Sequence, residues 1–130
     1  MKKISISTKS RTELIDITHH VAQAVKELGI KDGFCTIFIP HTTAGITINE
    51  NADPSVGEDI LMKLNKLIPF ENGYSHIEGN AAAHIKASVV DSSLTVIIED
   101  GRLCLGTWQG IFFCEFDGPR SRQIWIKITT

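Results

Sequence analysis

Five histidines are spread along the 130 residues, and their spacing decides how much chemistry they announce. His19 and His20 open an apolar period and read as solvated or cap-associated residues. His41 follows the strand-ending Pro40 and precedes Thr42-Thr43-Ala44-Gly45, a position suited to lining a cleft. His76 lies in the polar run Phe70–Gly79, and His84 falls one helical turn before Ser88. An imidazole changes charge near neutral pH, so it can bind a metal, move a proton or donate to a phosphate. No His-x-x-x-His or Glu-x-x-His pair occurs on one helix. Spacing alone therefore favours separately hydrogen-bonded histidines over a shared metal site.

Carboxylates and cations accompany the histidines. Asn49-Glu50-Asn51-Ala52-Asp53-Pro54 ends an alternating strand and starts a helix. Asp53 serves as a helix cap on the simplest reading. Glu50, at a strand end, could orient an imidazole, ligate a metal or act as a base. Arg120 and Arg122 follow the Asp117-Gly118-Pro119 turn, and if the strand has begun by Arg120 both guanidinium forks point to one face. Such forks suit phosphate or carboxylate oxygens, and a salt-bridged turn is the plainer alternative. Glycines flank Trp108 in Gly106-Thr107-Trp108-Gln109-Gly110, which suggests a sharp turn and a close backbone approach. Trp108 reads first as packing, and otherwise as the floor of a pocket.

The elements that must hold these groups follow from periodicity. Residues 2–8 alternate with period two, and Glu13–Ile17 is strand-like. Thr18 is the expected cap of a helix carrying Val21, Val25 and Leu28, and Gly29 ends it with Ile30 covering its end. Phe34–Ile39 and Ile46–Asn49 read as strands. Asp53-Pro54 starts a second helix with Ile60, Leu61, Leu64, Leu67 and Ile68 on one stripe, closed by Pro69. Asn80 is the expected cap of a third helix reaching Val90. Leu94–Glu99, Trp108–Phe116 and Arg122–Ile128 are strands, with Asp100-Gly101 as a turn. Trp108–Phe116 is apolar on both faces. That predicts a helix layer on one side and a second cover on the other, which in so short a chain could be another subunit.

Length, charge and composition bound the function. One domain, 1–130, is expected, and a chain of this size buries roughly two-thirds of its unfolded surface. A net charge of −2 and the absence of a basic run argue against nucleic acid as a partner. No apolar run approaches the roughly 20 residues a spanning helix needs, and no signal-peptide pattern follows Met1-Lys2-Lys3. A cytoplasmic protein without a membrane partner is the expectation. Cys35, Cys104 and Cys114 form no Cys-x-x-Cys pair and are expected as small buried hydrophobes in a reducing compartment.

The ordered blocks His41-Thr42-Thr43-Ala44-Gly45, Asn49-Glu50-Asn51 with Asp53-Pro54, His84-Ile85-Lys86 with Ser88, and Gly106-Thr107-Trp108-Gln109-Gly110-Ile111 resemble the YjbQ-like family. It is also called the secondary thiamine-phosphate synthase family, and the resemblance spans essentially the whole chain. It implies an α+β fold of mixed, mainly antiparallel sheet layers with about three helices, assembled as a homotrimer. It implies that His41, His76 and His84 converge on a divalent metal. Three imidazoles suit zinc or a similar ion better than magnesium, which prefers oxygen ligands. Glu50, Asp53 and Lys86 would then be the catalytic groups. Asn49, Ser88, Arg120 and Arg122 would contact the substrate, with Trp108 beside its ring. The activity attributed to some members joins a pyrimidine-methyl pyrophosphate to a thiazole phosphate and expels pyrophosphate. The resemblance thus implies a metal-dependent enzyme acting on a small phosphorylated metabolite. A non-catalytic trimer that binds a metal or an anion is the alternative.

Overall fold

The computed structural model describes residues 1–130. In chain order the elements are β1 (Lys2–Ser7), β2 (Glu13–Asp16), α1 (Thr18–Leu28), β3 (Gly33–Phe38), β4 (Ala44–Glu50) and α2 (Pro54–Leu67). They continue with α3 (Ala81–Val89), β5 (Ser93–Glu99), β6 (Arg102–Leu103), β7 (Gln109–Glu115) and β8 (Ser121–Thr129). The strands form a five-stranded sheet in the order β1-β8-β3-β5-β6 and a three-stranded sheet in the order β2-β7-β4. Every pairing is antiparallel, so the expected mixture of directions is absent. The reason lies in the connections. α1 carries the chain from β2 in the small sheet to β3 in the large one, and α2 with α3 carries it from β4 to β5 in the same sense. No helix joins two strands of one sheet, and a parallel neighbour needs that crossover.

Local chemistry sets the element ends. Asp53 accepts a hydrogen bond from the Ser55 backbone N–H (2.9 Å) and Pro54 opens α2. α1 departs from expectation. Ile17 holds the cap position, and Thr18 is already helical. Asp16 does the capping from further back: its carboxylate accepts from the Thr18 backbone N–H (2.9 Å) and hydroxyl (2.6 Å). Asn80 stands at the α3 cap position, but its amide donates to Asp117 Oδ2 (2.9 Å) instead of capping. Between β5 and β6, Asp100 (φ 53°) and Gly101 (φ 75°) both take left-handed conformations, as a two-residue hairpin turn requires.

The main core lies between the two sheets and under α1. Ile37, Val96, Ile98, Ile124 and Ile126 of the large sheet meet Ile46, Ile111 and Phe113 of the small one, with Val21 and Val25 of α1. A second cluster, Ala83, Cys114 and Phe116 with Leu61 and Leu64 beside them, lies between the small sheet and the helices α2 and α3. β7 is therefore covered on both faces from within one chain. Its second cover is the chain's own large sheet, and the sequence expectation of another subunit there is corrected. Cys35 and Cys114 are buried, and burial pushes their thiols up to about 11 and about 12. Cys104 is exposed, contrary to expectation, because the residues after β6 run along the surface. No helix is long and apolar enough to cross a membrane.

Candidate functional site

β3 ends at Phe38, and the chain then passes Ile39 and Pro40 to His41. Two backbone bonds pin this turn against the segment leaving α3: Ile39 N–H to Ser92 O (2.7 Å) and Ile46 N–H to Asp91 O (2.8 Å). The approach is close enough that a Cβ on Gly45 would lie 2.6 Å from both Asp91 O and Val90 Cγ2, so no side chain fits there. The last turns of α3 are thereby laid beside His41. A cleft of about 360 Å³ is lined by His41, His84, Ser88 and Asp91, among others. A second cleft of about 560 Å³ is lined by His41, Arg120 and Arg122. Both contain His41, Thr42 and Ser92, so the two clefts adjoin with His41 between them. His76 extends the line of imidazoles. Its ring meets that of His84 edge-on, with centroids 5.2 Å apart, and Glu78 approaches its Nε2 at 4.0 Å.

The protonation of His41 can be read from its partners. Its Nε2 accepts the Gln123 backbone N–H (2.9 Å), so Nδ1 carries the hydrogen. Burial, and next the charge of Arg122, hold its pKa below the usual imidazole value. The ring is therefore neutral at pH 7, with one N–H donor left. An NMR titration should place the His41 midpoint below 6.5. Because the folded value is depressed, its contribution to stability is present above the ordinary pKa. That contribution is lost as pH falls through the lowered one. A midpoint at or above 6.5 would contradict this environment.

Arg122 lines the cleft and is also bound within the chain. Both it and Glu115 are buried. Its Nε donates to Glu115 Oε1 (2.9 Å) and its Nη2 to Glu115 Oε2 (2.5 Å), Thr43 Oγ1 (2.9 Å) and Thr43 O (3.2 Å). Thr8 Oγ1 (2.8 Å) and the Asp117 backbone N–H (3.0 Å) also donate to Glu115. Burial alone would raise the Glu115 carboxyl, but these hydrogen bonds outweigh it and hold the group below the usual carboxylate range. Arg120 pairs with Asp117 through Nε and Nη2. In both arginines Nη1 makes no hydrogen bond within the chain, and both line the same cleft.

The other expected site residues separate from the histidines. β4 begins beside His41 and ends at Glu50, and seven strand residues cover roughly 20 Å. Glu50 and Asp53 therefore line a different cleft of about 410 Å³, together with Glu13, Asp16 and Glu58. Asn49 is exposed, and its side-chain oxygen accepts the Glu50 N–H locally. Lys86 lies two residues from His84 and from Ser88, about 200° around a helix, and so on its opposite face. There it is buried against Asn65 of α2. Ser88 stays with His84 and donates to its carbonyl (2.9 Å). Trp108 lies in the turn before β7, 63% exposed, and lines none of these clefts.

A zinc-like ion needs its ligand nitrogens about 2.0–2.1 Å from one point. No three His, Cys, Asp or Glu side chains in the chain are gathered closely enough to hold a metal. His41 Nε2 is moreover occupied by the Gln123 N–H. The residues of one chain, so arranged, do not fit a three-imidazole metal centre.

Relatives agree with the architecture. Residues 2–130 match the model of the family described as UPF0047 protein YjbQ-like. The chain belongs to the YjbQ family. It is 57% identical over 126 residues to a UPF0047 protein of Methanocaldococcus jannaschii, covering 97% of this chain and 91% of that one. It is 54% identical over 129 residues to the UPF0047 protein YugU of Bacillus subtilis, covering 98% of each. A crystal structure of a conserved YjbQ/UPF0047-family protein from Clostridium acetobutylicum superposes with a TM-score of 0.97. That chain is 55% identical, with 99% of this chain and 100% of that one covered. A YjbQ-like protein of Sulfolobus solfataricus superposes at 0.93 with 40% identity, covering 98% of this chain and 94% of that one. The α+β fold with three helices and antiparallel sheets is thus that of the YjbQ family.

The sequence of this family member contained partial signals for what was missed. Glu115 is a lone charge inside the apolar run Ile111–Phe116, and such a residue has to find a buried partner. Gln123, Asp91 and Ser92 act through backbone position, which their identity does not reveal.

Proposed function

We propose that this YjbQ-family chain is an enzyme acting on a small phosphorylated substrate held in the His41 groove. One observation carries the reading. A neutral imidazole with a single N–H donor stands in one groove with two guanidinium groups whose Nη1 donors have no partner in the chain. Each arginine already faces a carboxylate, so phosphate oxygens would be held by directed N–H donors more than by net charge. His84 and Ser88, in the adjoining cleft, would contact the remainder of the substrate. In the reaction that the family resemblance implies, the pyrimidine methylene–oxygen bond breaks and a carbon–nitrogen bond to the thiazole forms. Pyrophosphate leaves with the electron pair. Donors aimed at the leaving oxygens would stabilise the charge that develops there. The test is pyrophosphate release from the pyrimidine-methyl pyrophosphate, with thiazole phosphate present and then omitted. Release that depends on the thiazole supports the reading. Absence of any turnover, with or without added divalent ions, would sink it.

A second reading rests on the contact between His76 and His84. In it the same region binds a divalent metal of zinc type without turnover, and a third ligand comes from outside the chain. Equilibrium dialysis of the purified protein and of His84→Ala against zinc separates the two: stoichiometric zinc lost in the variant favours binding alone if no turnover is found.

Assembly as a homotrimer belongs to the proposal. The outer face of the large sheet leaves Phe34 (54%), Phe38 (41%) and Ile97 (55%) exposed, with Trp125 beside Phe38. Neighbouring apolar rings and chains left in water favour association. Light scattering should give three times the chain mass of 14.3 kDa. A monomeric mass at micromolar concentration would contradict it.

A further inference from the structure

Lys86 poses a problem that the His41 groove does not solve. Its residue surface is 3% exposed, yet no carboxylate pairs with it. Buried charges are ordinarily paired. The one hydrogen bond its ammonium makes within the chain goes to Asn65 Oδ1 (2.6 Å). An ammonium has three donors, so two are left over. The Asn65 amide is fixed, because its Nδ2 donates to Thr12 Oγ1 (3.1 Å) and its oxygen must face the ammonium. Thr12, having accepted that bond, retains a hydroxyl hydrogen to donate.

These groups line a pocket of about 280 Å³ between α2, α3 and the segment before β2. Arg11 lines it too, its guanidinium carbon 4.0 Å from the centre of the Phe70 ring. Phe70 and Phe116 supply apolar wall, and no acidic residue takes part in the lining. The pocket therefore brings two cations, a free hydroxyl and two aromatic rings together, with the Arg11 guanidinium stacked on the Phe70 ring. Small-molecule sites combine an apolar wall with a few placed polar groups in this manner.

We propose that this pocket is a second ligand site, separate from the His41 groove, for a small organic anion. Its acid group would lie against Lys86, Arg11 and Thr12, and its apolar body against Phe70 and Phe116. A bound anion supplies the partner charge that the chain itself does not. The acid is a carboxylate or a phosphate ester, and the two arms of the test tell them apart.

The experiment follows backbone amide shifts of the full chain titrated with benzoate, with phenyl phosphate, and with benzyl alcohol as the uncharged analogue. At least one anion should shift Asn65, Ala82, Ala83 and Lys86 saturably. Lys86→Met keeps the side-chain length and removes the charge. It should weaken that anion about tenfold or more, the usual size of a lost charge-assisted hydrogen bond. Benzyl alcohol should bind more weakly than the anion and be indifferent to the substitution, and His41→Ala should leave the anion's affinity unchanged. If Lys86→Met does not fold, Arg11→Gln on the exposed rim takes its place with the same expectation. The proposal is overturned if neither anion shifts these amides, or if the charge-removing variant binds as tightly as the parent. Loss of binding in His41→Ala would overturn the separateness of the two sites.

Discussion

Glu115→Ala is expected to lower folding stability by about 3–5 kcal/mol, the usual result of removing one partner from a buried ion pair. Glu115 accepts from Arg122, Thr8 and the Asp117 backbone. Truncation leaves a buried guanidinium with only Thr43 to receive it. The penalty is mostly that stranded charge, so the double variant Glu115→Ala/Arg122→Met should recover part of the loss. Urea unfolding of the parent, both single variants and the double variant measures this directly. An additive double variant would mean that the two side chains act independently. The pH dependence has a definite sign. The folded Glu115 carboxyl is held below its ordinary value, so its stabilisation is present above that value and disappears as pH falls through the lowered one. The parent should therefore lose more stability on acidification than Glu115→Gln does.

For His41→Ala, kcat should fall by about 10²- to 10³-fold, as when one donor to a developing oxyanion is removed. Stability should change far less than in Glu115→Ala, because the His41 ring is half-buried at a cleft wall and its one bond is to a backbone N–H. Gln123→Ala should be nearly neutral, since the backbone and not the side chain contacts the imidazole. An undiminished kcat in His41→Ala would remove the imidazole from the chemistry. A loss of activity matched by unfolding would assign it to structure.

Much of this was legible in the residues themselves. Period-two alternation in β1 and β5, the Asp53-Pro54 start of α2 and the Asp100-Gly101 turn are local, and local rules found them. The close approach expected near Trp108 occurs at Gly110, where an added Cβ would meet Asn51. The placing of His41 and His84 on one cleft was not legible locally, because it depends on Asp91 and Ser92 being tied to a distant turn. Element geometry separates residues that are close in sequence. Glu50 is carried away by the length of β4, and Lys86 is turned away by the pitch of α3. Trp108 stayed outside because β7 begins one residue later. Arg122 was found by its type, but its pairing with Glu115 was not, since that acid lies on another strand.

The most direct measurement is histidine-selective ¹H–¹⁵N NMR of the full chain during titration with pyrophosphate. The signals should report His41 as the Nδ1–H tautomer at neutral pH. Pyrophosphate should shift His41 and His84 together in a saturable manner, with the response abolished in His41→Ala. Saturable shifts confined to His19 and His20, or no shifts at all, would show that the phosphate is not held in the groove between His41 and the two arginines.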